Sequence, residues 1–380
     1  MMNDPIYLDH NATTPLRSEV VDAMLPYLRE HFGNPSSGHV YGQRAHRAIE
    51  RARAQVAALL GAAAPEIVFT SGGTEANNLA IRGAAALSER RGLLTSAVEH
   101  PATAQPLRAL AARGWTVTAL PVDATGRLVP GAEGAVDDDT ALVTVMHANN
   151  ETGTLQPVAA LAAAARARGA LSHTDAAQSV GKVPVRVDEL GVDLLSVAGH
   201  KLYAPKGVGA LYVRSGVTLP PLLLGAGHEG GLRPGTENVA SIVGLGEACR
   251  LAGEALTSEA GRLRALRDRL HARLAEGAPG LALNGHPSLR LPNTLNVRFP
   301  GVSGNAVLAA APEVAASTGS ACHDHGESPS AVLLAQGLSP AEALGAVRLT
   351  LGHGTTEADV DAAARALIRA FRRLNDPETS

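Results

Sequence analysis

Residues 173–201 read HTDAAQSVGKVPVRVDELGVDLLSVAGHK. The apolar segment Gly169–His173 leads into an acid, Asp175, and three residues on sits an amide, Gln178. A second apolar segment, Val192–Ala198, ends in Gly199-His200-Lys201. Each segment has the length and composition of a buried parallel strand. A carboxylate and a lysine thus stand just past the C-terminal ends of two strands, on one rim of an open α/β sheet. That rim is where such sheets keep their ligands. Strand-end aspartates and surface lysines are also common, so this segment alone leaves a purely structural reading open.

The pair suits pyridoxal phosphate. A lysine forms a Schiff base with the aldehyde, and an anionic aspartate keeps the ring nitrogen protonated. Other segments fit the same ligand. Ser71-Gly72-Gly73-Thr74-Glu75 follows the apolar run Ile67–Thr70 and precedes the helical pattern Ala76–Leu87. Strand, glycine turn and helix start make an anion site from free N–H groups and the helix dipole. The same residues also read as an ordinary capped turn, since Ser71 and Thr74 are good caps. No GxxxxGK[ST] occurs, so a nucleotide-cradling P-loop is not supported. Asn149-Asn150-Glu151-Thr152-Gly153 follows the run Ala141–His147, and an amide there would reach a ring hydroxyl; the alternative is a turn. His100 follows the run Leu93–Val98 and is placed to stack on a flat ring or move protons, although a lone histidine is more often structural.

The chain has 380 residues, 45% hydrophobic and 18% charged, with a net charge of −3. That is room for one large and one smaller domain with substantial cores. The charge gives no electrostatic reason to expect nucleic acid or an anionic membrane as partner. MMNDPIYLDH lacks a basic region followed by an apolar core, and no uninterrupted apolar run is long enough to span a bilayer. With two cysteines a disulfide framework is not expected, and the cytoplasm is the expected compartment.

Further strands are expected at Thr116–Leu120 and Gly209–Val213, with helices at Ala76–Ala86, Ala102–Ala112 and Val158–Arg168. Too little chain separates Val192–Ala198 from Gly209–Val213 for a crossover helix, so the two form a hairpin and the sheet is mixed. Past Gly246 the character changes. Cys249–Glu276 reads as one or two long charged helices, followed by strands at Leu295–Phe299, Val314–Ser317 and Val347–Leu351 and a last helix at Glu357–Leu374.

Ten blocks occur in order: YLDHNATTPL, FGNPSS, FTSGGTEANNLAI, SAVEH, HANNETG, HTDAAQSVGK, GHKLYAPKGVGALYVR, LRPGTENV, LPNTLNVRFPG and STGSAC. Together they resemble the cysteine desulfurase family (NifS-like, class V PLP-dependent aminotransferase superfamily) over essentially the whole chain. The segment CHDHGESPSAVLLAQGL, from Cys322, is similar to that of selenocysteine lyases.

The resemblance implies fold type I of the PLP-dependent transferases (aspartate-aminotransferase-like, α/β). A large mixed seven-stranded sheet domain would span 16–252. A smaller α+β domain, 1–15 and 253–380, would carry the catalytic cysteine. It implies a homodimer with L-cysteine or L-selenocysteine as substrate and a sulfur-acceptor protein as partner. By resemblance, Lys201 is the Schiff-base lysine and Asp175 the partner of the ring nitrogen. Gln178 and Asn150 meet the ring hydroxyl, Asn150 also facing substrate, and His100 stacks on the ring as a catalytic residue. Gly73, Thr74 and His200 contact the phosphate, and Thr236 does so from the other subunit. Arg348 grips the substrate carboxylate, which suits a bidentate guanidinium. Cys322 takes the sulfur as a persulfide, leaving L-alanine.

Two departures stand out. Many desulfurases carry serine where this chain has Ala198, and one lost charge-assisted hydrogen bond costs about 1.5–3 kcal/mol if nothing replaces it. The run Cys322-His323-Asp324-His325 puts adjacent side chains in different directions, which disfavours a metal site. His323 or His325 would instead help hold Cys322 as thiolate. Cys249, in an Ala/Leu-rich helical setting, is the inert thiol. The expected reaction is cysteine desulfuration feeding iron–sulfur cluster, tRNA-thiolation or thio-cofactor assembly. The alternative is a selenocysteine lyase, and a non-catalytic scaffold subunit or a plain aminotransferase fits the residues less well.

Overall fold

The computed structural model describes residues 4–319 and 328–375. The short strand β1 (Ile6–Tyr7) comes first. The large sheet then takes β2 (Ile67–Thr70), β3 (Gly92–Ser96), β4 (Thr116–Leu120), β5 (Thr140–Thr144), β6 (Leu171–Asp175), β7 (Leu194–Ala198) and β8 (Gly209–Val213). Its order is β2-β8-β7-β6-β5-β3-β4. The neighbours are parallel except β8, which runs antiparallel to both β2 and β7. The seven-stranded mixed sheet and the β7–β8 hairpin are therefore as expected.

The apolar runs have a physical cause. β2, β5, β7 and β8 are buried at every position, because helices cover both faces. Residues of the helix Val40–Leu60 (Ile49, Val56, Leu60) join one core, and those of Gly73–Ala86 (Leu79, Ala80, Ala84) join another on the sheet. Only the edge strand β4 is mostly exposed.

Two expected strands of this sheet overran, and outside it Val314–Ser317 pairs as a strand only to Ala315. Leu93–Val98 pairs only as far as Ser96, and Ala141–His147 as far as Thr144. Val145 to Ala148 stay buried after leaving the sheet, and Met146 and Ala148 line a cavity at its C-terminal rim. Burial beyond the sheet edge looks like strand in the sequence.

Of the one or two helices expected over Cys249–Glu276 there is one, Val239–Gly277, which starts ten residues earlier. At 1.5 Å per residue it is about 58 Å long. Its first part (Ile242, Leu245, Cys249) packs in the large-sheet core, and its second part (Leu263, Leu266, Leu270, Leu274) packs in a separate core. That second core surrounds β9 (Ala282–Asn284), β10 (Thr294–Arg298), β11 (Val314–Ala315) and β12 (Ala346–Thr350). β10 lies antiparallel between β12 and β9, and β1 pairs parallel with β11. The last helix, Glu357–Asn375, closes the core with Val360, Ala363, Ala364, Leu367, Ala370 and Phe371, one apolar stripe at helical spacing.

Candidate active site

A cavity of about 420 Å³ opens where the C-terminal rim of the large sheet meets β12. Nine of the eleven candidate site residues line it. Asp175 ends β6, with one carboxylate oxygen accepting from Asn77 Nδ2 at 2.7 Å and the other from the Ala177 N–H at 2.9 Å. Two donors thus aim a buried carboxylate. Lys201 closes the short turn Gly199–Lys201 that follows β7. Its Nζ donates to the Asn11 and Ala12 carbonyls, each at 2.7 Å. Burial lowers the Lys201 ammonium to about 8, and Arg348 pushes the same way while Asp175 and Asp9 oppose.

Gly73 and Thr74 open the helix Gly73–Ala86 against the cavity. Gly72 has φ +148, and a Cβ on Gly73 would stand 3.2 Å from Ala198 Cβ. The side chain at 198 therefore faces the helix N-terminus, where a serine would have offered its hydroxyl. His200 lies on the same rim, its Nδ1 3.2 Å from Thr13 Oγ1. Burial, with Lys201, Lys206 and Lys182 adding to it, lowers His200 to about 4 and keeps it neutral. His100 caps the helix Pro101–Ala111, its Nδ1 accepting from the Ala102 N–H at 3.1 Å. That bond leaves Nε2 as the N–H of the neutral ring.

Arg348 sits mid-strand in β12, 6% exposed. Nη1 donates to the Asn150 carbonyl at 3.1 Å and Nη2 to Asp9 at 2.8 Å, while Nε is buried with no partner among the described residues. Nη1 and Nη2 each keep a further N–H, and Arg348 lines the cavity, so a carboxylate there would meet a forked donor. Gln178 Nε2 donates to the Asn11 carbonyl at 3.0 Å. Thr236 is exposed and does not line the cavity of this single chain.

Cys322, His323, Asp324 and His325 lie outside the described residues. Their flanks are informative. Ser317 and Gly319 line the cavity, and Ser317 pairs with Arg348 through backbone bonds. A Cβ on Gly319 would stand 3.1 Å from a Glu151 oxygen, and Ser330 Oγ donates to the same carboxylate. Burial raises Glu151 to about 7. Cys249 is buried in the core, its thiol pushed up to about 12, which makes it inert at neutral pH.

Asn11, Asn77, Lys182 and Glu151 also build the site, and sequence reasoning gave them no role. Asn11 lies in the YLDHNATTPL segment, but its partners are over a hundred residues away. No local pattern carries such a signal.

The Lys201 value sets a pH dependence. Between about 8 and 10.5 the unfolded chain binds more protons at this lysine than the folded one, so its contribution to stability rises with pH. In cofactor-free protein, wild type minus Lys201→Met stability should rise by about 3 kcal/mol at most across that window, measured by urea unfolding. A flat difference would mean that Lys201 keeps an ordinary value.

The residues present fit pyridoxal phosphate: a lysine and a fixed carboxylate at one cavity, and a glycine-opened helix N-terminus for the phosphate. Comparisons with known proteins agree. The class-V aminotransferase family matches residues 6–363. A cysteine desulfurase IscS from Anaeromyxobacter sp. (strain Fw109-5) is 46% identical over 99% of this chain and 94% of its own. One from Dictyoglomus turgidum is 46% identical over 98% and 96%. Among solved structures, a NifS-like protein superposes with TM-score 0.90 at 35% identity, covering 97% of this chain and 99% of its own. A structure described as SspA in complex with cysteine gives TM-score 0.81 at 39% identity, covering 91% and 98%. With the fold, the rim cavity and these likenesses in agreement over nearly its full length, the chain belongs to the cysteine desulfurase family of the PLP-dependent class V aminotransferases.

Proposed function

We propose that this chain converts L-cysteine to L-alanine and takes the sulfur onto Cys322 as a persulfide for transfer to an acceptor protein. The observation that carries the reading is the shared cavity. Lys201 and Asp175 line it, with Arg348 beside them and the chain leading to Cys322 forming part of its wall. Lys201 would hold the cofactor covalently, Asp175 would accept from its ring N–H, Gln178 and Asn150 would meet its ring oxygen, and Gly73, Thr74 and His200 would meet its phosphate. Bound there, it supplies an electron-accepting ring for the charge that develops at the substrate Cα.

Arg348 binds the substrate carboxylate and fixes the orientation of the amino acid. Neutral Lys201 takes the Cα proton, and a value near 8 makes it a competent base near neutral pH. His100, with its Nε2–H free, moves a proton at the face of the site. The Cys322 thiolate attacks the substrate sulfur. An S–S bond forms and the C–S bond breaks; the electron pair stays on carbon, which is protonated to the methyl group of alanine. The acceptor then reduces Cys322 back to thiol by taking the outer sulfur.

The relatives named above are cysteine desulfurases, which favours sulfur over the selenocysteine-lyase reading of the Cys322 segment. We also propose the domain division at 16–252 against 1–15 and 253–380; the two separate cores along one helix support it. A homodimer is proposed because Thr236, which the resemblance assigns to the phosphate, is exposed and does not line the cavity of this single chain. No helix of the described residues is long and apolar enough to cross a membrane, and a cytoplasmic location is part of the proposal.

Alanine release from L-cysteine tests the function. Wild type should form one alanine per cysteine consumed. Arg348→Lys keeps the charge but loses the fork, so kcat/KM should fall roughly 10- to 100-fold, mainly through KM. Pyruvate as the product in place of alanine, or an unchanged KM, would contradict the assignment.

A further inference from the structure

Lys182 is buried at 8% exposure, and the chemistry above gives it no role. Among the described residues it has no carboxylate partner. Lys201 and Arg348 act on it electrostatically, and it acts in turn on His10 and His200; Glu259, Arg17 and His353 line the same small pocket, but Glu259 makes no ion pair with it. A buried cation without an ion pair is costly, and a methionine would pack there more cheaply. Its contacts are specific instead. Nζ donates to Gln178 Oε1 at 2.9 Å and to Asn11 Oδ1 at 3.3 Å. Gly181, at φ +77, lets the turn fold back so that Lys182 returns beneath Gln178.

We propose that Lys182 is a positioning residue that fixes the amide of Gln178, so that its NH₂ side faces the ring oxygen of the bound cofactor. The proposal rests on the reading that Gln178 meets that oxygen. An ammonium donates and never accepts. Protonated Lys182 therefore faces the Gln178 oxygen, and the Asn11 carbonyl, which only accepts, takes Nε2 on the cavity side. Even a neutral Lys182 keeps two N–H groups, one for each amide oxygen. The same donor orients Asn11, whose Oδ1 also accepts from Asn293 Nδ2. Asn11 then keeps its carbonyl for both Lys201 Nζ and Gln178 Nε2. Without Lys182 only the Asn11 carbonyl, which it shares with Lys201 Nζ, still orients the Gln178 amide, so the amide is held less firmly and donates less to an oxygen that bears negative charge. That raises the basicity of the ring oxygen and of the group coupled to it.

The test is a pH titration of the absorbance of the bound cofactor. Lys182→Met should raise the midpoint by about one unit, and Lys182→Arg, which still donates, should hold the wild-type value. In a Gln178→Ala background Lys182→Met should add little, because the lysine acts through the amide. An unmoved midpoint, or the same rise in both backgrounds, would overturn the proposal and leave only a charge effect or none. If Gln178→Ala alone leaves the midpoint unmoved, Gln178 does not meet the ring, and the reading beneath the proposal fails separately. Lys182→Leu serves as the second variant if Lys182→Met does not fold, with folding checked by far-UV circular dichroism.

Discussion

Replacing Lys201 with alanine should abolish turnover of L-cysteine, with kcat falling by at least about 10⁴-fold, because covalent attachment and proton transfer are lost together. The effect is large because the cavity offers no substitute. Lys182 is tied by both of its contacts beneath Gln178 and Asn11, and Lys206 is exposed and does not line the cavity. His100 and His200 are held by caps and neighbours on the rim. Asp175 is engaged by two donors of its own. Steady-state assays of alanine release would read the loss. Absorbance would show whether cofactor remains, held only by the phosphate contacts and Asp175. A small external amine should restore a fraction of the rate by replacing Nζ. Residual turnover within tenfold of wild type would rule out Lys201 as the base.

Cys322→Ala should abolish the persulfide and desulfuration, while cofactor stays bound and the protein stays coloured. The separation follows from where the parts sit. The described residues that would hold the cofactor come from the large-sheet rim, where Asn77 and Asn11 hold Asp175, Gln178 and Lys201 without the Cys322 segment. The chain leading to Cys322 enters from the other side, paired with β12 at Ser317 and packed on Glu151 at Gly319. Removing one thiol there leaves the cofactor contacts intact. Substrate binding at Arg348 should survive as well, so a cysteine-induced absorbance change should still occur. A colourless variant would mean that the segment helps hold the cofactor, against the division of labour drawn here.

The large sheet was legible because its parallel strands are buried on both faces and spell continuous apolar runs. Lys201 and Asp175 were legible for the same reason, since each stands at the end of such a run. Arg348 was not: its strand lies in the smaller core, and its role depends on Asp9 and Asn150, both far away in the chain. The resemblance supplied it; spacing alone did not. Asn11 and Lys182 escaped because their function is to orient other side chains through long-range hydrogen bonds. The long helix was read with an uncertain break. Nothing marked the point at which it leaves one core for the other, and Gly253 and Gly261 do not interrupt it. Ala198 departs from the serine of many desulfurases at a position that faces Gly73 at the helix N-terminus.

The most direct test of the account is the intact mass of the purified, cofactor-loaded protein after incubation with L-cysteine. One added sulfur, located on Cys322 and removed by reductant, is the predicted result. Protein that retains its cofactor yet gains no sulfur, or that carries it on Cys249, would contradict the central claim.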